Sequence, residues 1–170
     1  MANSIEKELS PVLLEDCNKE KIVLLSTISS EKSIPVMNAI SWFIALDEKT
    51  IRFAIDQRSL VVSNVETNRT VSFSLFSNET VYNILGDAKV LTTQMPTIPL
   101  KLACIEVKIN EVKNILFYGS KIITEPQYAK TYDERAAKKL DDAVLNGLRT
   151  FEVWWQDKTY SKVERISYNI

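Results

Sequence analysis

The run Ile105-Glu106-Val107-Lys108-Ile109-Asn110 alternates apolar and polar side chains without a break. Successive side chains of a strand point to opposite faces, so the pattern predicts a strand with one buried and one wet face. Short β-branched apolar runs, bounded by polar residues, recur at hairpin spacing upstream of it. Residues 22–28 predict a buried first strand and residues 29–33 a polar turn; residues 35–45 predict a long second strand, ended by the turn Leu46-Asp47-Glu48-Lys49. Residues 51–55 are the third predicted strand, 71–76 the fourth and 81–92 the fifth, with the loop Ser77-Asn78-Glu79 before the fifth. Gly86 falls inside the fifth, where a glycine marks a bulge or a sharp bend. After the break at Met95-Pro96-Thr97-Ile98-Pro99 comes the alternating run, the sixth strand, and then a strand or turn around Leu116-Phe117-Tyr118-Gly119.

The helical period appears in three places. Near the start, Ser10 can cap and Pro11 suits a first helical position, ahead of Val12, Leu13 and Leu14. A short helix follows the third strand, beginning near Ser59 and closing at Glu66-Thr67-Asn68-Arg69. Between residues 133 and 148, Ala136, Ala137, Leu140, Val144, Leu145 and Leu148 recur at helical spacing, with Gly147 near the end and Lys138-Lys139 and Asp141-Asp142 as the solvated face. Phe151-Glu152-Val153-Trp154-Trp155 then brings a dense group of aromatics, suited to stacking on a bound ring or to burial in an interface or core. The expected fold is mainly β with flanking helices: a six-stranded antiparallel barrel, closed or nearly so because closure removes exposed edges. The expected organisation is one domain over residues 1–170, with a barrel over about 21–124 and a helical tail over about 125–170.

Composition narrows the chemistry. A net charge of −1 and a pI near 5.6 argue against a nucleic-acid partner. Met1–Lys7 shows no basic-then-apolar leader, and no apolar run reaches membrane-spanning length, so the cytoplasm is the expected location and no membrane partner is expected. The chain has no histidine, which removes His-based triads, His-ligated metals and His acid–base chemistry. Its two cysteines, Cys17 and Cys104, have no metal-ligand spacing, so no metal site is expected. Three glycines leave no Rossmann or Walker phosphate loop. If the protein is an enzyme, a bound organic cofactor carries the chemistry.

The candidate site is the junction Asp56-Gln57-Arg58-Ser59, where the third strand turns into the short helix. A helix start offers unpaired N–H groups and the positive end of the dipole, and an arginine fork and a serine hydroxyl there add donors for a phosphate. The plainer alternative is that Ser59 only caps the helix and Arg58 is solvated.

The order of elements resembles the FMN-binding split barrel of the pyridoxamine 5′-phosphate oxidase-like group. The likeness spans roughly residues 21–121. It rests on Leu24-Leu25-Ser26-Thr27-Ile28, on Pro35-Val36-Met37-Asn38, and on Phe53-Ala54-Ile55-Asp56-Gln57-Arg58-Ser59. Asn64, Asn68 and Ile84-Leu85-Gly86-Asp87-Ala88-Lys89-Val90 complete it. The resemblance implies FMN as cofactor. Met37, Asn38 and Ala39 would border the flavin ring, Phe53, Ala54 and Ile55 would flank it with backbone groups, and Arg58 and Ser59, beside Asp56, would hold the phosphate. It also implies a homodimer whose second subunit covers the open flavin face. For Met37, Phe53 and Ile55 the alternative is plain core packing.

Two departures matter. The group's oxidases carry an Arg-Lys pair just after the serine, where this chain has Leu60 and Val61; their C-terminal Arg–His substrate motif has no counterpart. Pyridoxamine phosphate oxidation itself is therefore not expected, and haem ligation through histidine is impossible. Two functions remain: a flavoenzyme passing reducing equivalents from NAD(P)H to a small acceptor, its catalytic residue unassigned, or a non-catalytic flavin-binding or stress-related module.

Overall fold

The computed structural model describes residues 4–164, with side chains through Phe151. In chain order the elements are β1 (Ile5–Glu6), α1 (Pro11–Asp16), β2 (Val23–Ile28), β3 (Pro35–Ile40), β4 (Phe43–Asp47), β5 (Thr50–Asp56), α2 (Leu60–Thr67), β6 (Thr70–Ser77), β7 (Thr80–Thr92), β8 (Leu102–Asn114) and α3 (Glu134–Glu164). The strands form one antiparallel sheet in the order β3-β2-β6-β7-β8-β5-β4, with β1 pairing to β8. β3 and β4 are the two edges of this path, yet only Ser41 and Trp42 separate them in the chain. Three Cα steps reach at most about 11 Å, so the sheet must curl until its edges nearly meet. The result is a barrel whose seam is bridged by the chain itself and not by a ladder.

This seam corrects the sequence reading twice. The predicted strand over residues 35–45 is two strands: it leaves one edge of the barrel at Ile40 and enters the other at Phe43. The apolar run through this point hides the crossover, because strand pattern records burial and not which partner a strand takes. The described residues accordingly form eight strands and not six, the two-residue β1 being too short to leave a pattern.

Other local readings hold. Ser10 caps α1, its hydroxyl accepting from Leu13 N at 3.3 Å, with Pro11 in the first turn. The β6–β7 turn places Asn78 and Glu79 at φ 50° and 59°, the pair of positive values that a two-residue hairpin of matching twist requires. The β7–β8 ladder slips at Leu85/Gly86, and a Cβ on Gly86 would lie 2.4 Å from the Lys108 carbonyl oxygen. Only glycine allows that approach.

The core lies in two layers. Inside the barrel, the Phe73 ring meets Phe43 and Phe53 edge-on, with centroids 5.1 and 5.8 Å apart. Outside, Ile44, Ala54 and Cys104 pack under Val144, Leu148 and Phe151 of α3. Strand β5 serves both layers: Ile51 and Phe53 point in, while Arg52 and Ala54 point toward α3. Trp154 and Trp155 fall outside the residues whose side chains are described.

Polar ties hold α1 to the barrel end. Asp16 accepts from Lys19 at 2.8 Å, from Lys21 at 3.4 Å and from the Ser77 hydroxyl; Lys21 also donates to Phe76 O at 2.9 Å. Burial alone would raise the Asp16 carboxyl, but these donors outweigh it and bring the pKa down to about 2. A folded pKa below the unfolded value means that the stabilisation is complete above about pH 4 and is lost as pH falls toward 2. Asp16→Asn should therefore cost about 1–2 kcal/mol near neutral pH, and the gap from the native protein should close as the pH falls through that window. Thermal melts followed by circular dichroism across pH 2–7 measure it; a gap that stays constant would refute the assignment.

Candidate functional site

The end of β5 and the start of α2 form the site. Ser59 is the helix N-cap: its hydroxyl oxygen accepts from Val61 N at 3.3 Å, and its carbonyl oxygen from Val62 N at 3.1 Å. Asp56 holds the turn. Its Oδ1 accepts from the Arg58 backbone N–H at 2.8 Å and from Arg58 Nε at 3.1 Å, and its Oδ2 accepts from Arg58 Nη2 at 2.9 Å. These Arg58 bonds hold the Asp56 carboxyl at about 2, so at neutral pH it is a weak base. Arg58 itself is largely exposed, with 84% of its side chain accessible.

An anion at the start of α2 would thus meet the Arg58 guanidinium, the Ser59 hydroxyl proton and the first-turn backbone N–H groups. It would also meet the Asp56 carboxylate, which already engages two nitrogens of the fork. This donor set fits a phosphate once Arg58 turns from Asp56. Leu60 is 65% exposed, whereas Val61 is core, so the helix offers no second cation from these two positions. Asn64 anchors α2 from beneath: it accepts from Ser30 N at 2.8 Å and donates to Thr27 Oγ1 at 2.9 Å.

The other predicted residues divide by location. Met37, Asn38 and Ala39 lie on the edge strand β3, all three exposed and paired in register with Ser26, Leu25 and Leu24. Phe53 is fully buried inside the barrel and Ala54 is buried on the α3 side, so neither side chain is open to solvent. Their backbone is also committed: Phe53, Ala54 and Ile55 pair with Ile105, Cys104 and Ala103 of β8, and the Ala54 N–H donates to Trp42 O at 2.9 Å. On the β4 side the ladder ends at the Phe43–Phe53 pair, which leaves Ile55 and Asp56 as the stretch running out to α2. Cys104 is buried, and burial pushes its thiol up to about 12, which makes it inert.

The structure also shows residues that pattern reasoning passed over. Asp141, read as part of a solvated helix face, is half-buried and accepts from Trp42 Nε1 at 2.7 Å and from Lys130 Nζ at 3.1 Å. The signal was absent because the strand and the helix that meet here are 99 residues apart in the chain.

Neither a family model nor a curated protein sequence matches this chain. Solved structures do. A candidate pyridoxamine 5′-phosphate oxidase from Lactobacillus delbrueckii superposes with a TM-score of 0.54 at 16% identity, over 66% of this chain and 98% of its own. HupZ from Group A Streptococcus gives 0.53 at 11% identity, over 68% and 99%, and a single-site variant of HupZ gives 0.52 at 13%, over 62% and 98%. At such identities the likeness is one of fold, and with the curled antiparallel sheet and its short β5–α2 turn it supports one conclusion: this chain has the split-barrel fold of the pyridoxamine 5′-phosphate oxidase-like proteins.

Proposed function

We propose that the protein binds FMN at the β5–α2 junction and serves as a flavin-dependent oxidoreductase on a small acceptor. The observation that carries this reading is the exposed Arg58 fork beside the Ser59 cap at the start of α2, on a barrel shared with a candidate pyridoxamine 5′-phosphate oxidase. Bound FMN supplies a two-electron redox centre that this histidine-free chain otherwise lacks. The chain's part is to hold the phosphate through Arg58, Ser59 and the helix start, and to offer the exposed edge of β3 at Met37, Asn38 and Ala39 to the ring. No side chain at the junction is a competent proton donor or base: Asp56 is held ionised, and it competes with the phosphate for the Arg58 fork. Proton movement then falls to water. The Leu60–Val61 pair and the Asp56 tie favour a second reading, a flavin-binding module without turnover.

FMN binding is tested by titrating the apoprotein and following flavin fluorescence. Arg58→Ala should weaken binding at least about tenfold, as loss of a charge-assisted fork does. Asp56→Asn should strengthen it, since it frees the fork and removes a like charge while Ser59 still caps the helix. No fluorescence change at micromolar FMN would overturn the reading.

A homodimer belongs to the same proposal. Ile34 and Met37 on and beside β3 are 49% and 61% exposed, and Leu60 is 65% exposed, so apolar surface stands open near the proposed ring site. Light scattering should give twice the 19.4 kDa chain mass; a monomer at all concentrations would contradict it.

Anaerobic mixing of the FMN-loaded protein with NADH and with NADPH separates the two readings. Bleaching of the flavin band by either one is the expected result, and a band that persists with both assigns the binding-module function.

A further inference from the structure

A cleft of about 590 Å³ lies away from the β5–α2 junction and shares no residue with Asp56, Arg58 or Ser59. Four distant segments build it: residues 18–20 after α1, the barrel seam at 41–44, the strap at 128–130 and the first half of α3. Its volume is within the range of small-molecule sites. Ile44 and Ala137 give a buried apolar floor, and Trp42 and Leu145 form half-buried walls.

The strap is fastened on both sides. Tyr128 Oη donates to Glu20 at 3.0 Å, and Lys130 Nζ donates to Asp141, which also takes the Trp42 indole N–H. The polar rim is unequal in charge. Each of its lysines is already paired: Lys19 with Glu15 and Asp16, Lys130 with Asp141, and Lys138 with Asp142. Among the described residues, Glu20 meets only the neutral Tyr128 hydroxyl and Glu134 forms no ion pair. Two carboxylates without a cationic partner among the described residues therefore face an apolar, aromatic-walled cleft.

We propose that this cleft binds a small organic cation, an ammonium carried on an aromatic or alkyl body. The body covers the floor against Trp42, and the ammonium stands between Glu20 and Glu134. An anion of the same shape would face both carboxylates and find every lysine engaged.

The test compares phenethylamine, 2-phenylethanol and phenylacetate, which share one body and differ in charge. The readout is the ¹⁵N–¹H resonance of the Trp42 indole, assigned by its loss in Trp42→Phe. The amine should shift that resonance and bind roughly five- to tenfold tighter than phenylacetate, the effect of two solvent-exposed ion pairs. The preference should shrink as salt is raised. The double variant Glu20→Gln, Glu134→Gln should abolish the preference with the melting temperature unchanged, since both side chains lie at an exposed rim. No binding at about 10 mM of any of the three, equal binding of amine and carboxylate, an unmoved indole resonance, or a preference that survives both high salt and the double variant would each overturn the proposal. The outcome does not depend on whether FMN binds.

Discussion

A fully buried arginine organises this molecule. Arg52 lies on the outer face of β5, under α3, with 0% of its surface exposed. Taking a guanidinium out of water is tolerable only when the charge is paired and its protons are met. Both needs are answered by position. Glu106 is its cross-strand partner on β8 and accepts from Nε and Nη2 at 3.0 and 2.8 Å, while Nη1 donates to the Leu148 carbonyl oxygen of α3 at 2.8 Å. The pair locks the β5–β8 register, and the carbonyl bond fixes where α3 lies on the sheet. A slip of one residue would turn Arg52 into the phenylalanine core of the barrel, so the alternatives are strongly disfavoured.

Two consequences follow along the chain in opposite directions. Toward the C-terminal end of β5, the fixed register sets Asp56 opposite Leu102 of β8, and just beyond it Asn64 secures the helix that Ser59 caps. Toward α3, the fixed helix brings Asp141 under the indole of Trp42 at the barrel seam. The phosphate-binding candidate and the cleft are thus two outlets of one packing arrangement.

The seam explains why so much of the candidate surface lies at one place. A sheet that must join its first and last strands through Ser41 and Trp42 keeps β3 as an edge with an unpaired side. Edges are usually blunted or covered. Here β3 leaves Met37, Asn38 and Ala39 exposed, and the crossover itself presents Trp42 to the opposite side of the seam. At the β5–α2 turn, electrostatics act as a restraint: the Asp56 carboxylate holds the Arg58 fork through Nε and Nη2.

Period-two alternation, β-branched runs, the Ser10-Pro11 cap and Gly86 were enough to read an antiparallel barrel and its helices, because each records a local demand of backbone or burial. The Arg58-Ser59 junction was legible for the same reason: capping and a positive fork at a helix start are local chemistry. What lay beyond reach depended on partners distant in the chain. The split of residues 35–45 is a change of neighbour, and an apolar strand reads alike on either edge. The tie of Asp56 to Arg58 and the burial of Phe53 and Ala54 on opposite layers required coordinates. So did the conversion of Asp141 from a solvated helix face to a half-buried acceptor for Trp42, since only the packing of α3 on β4 and β5 draws that carboxylate out of water.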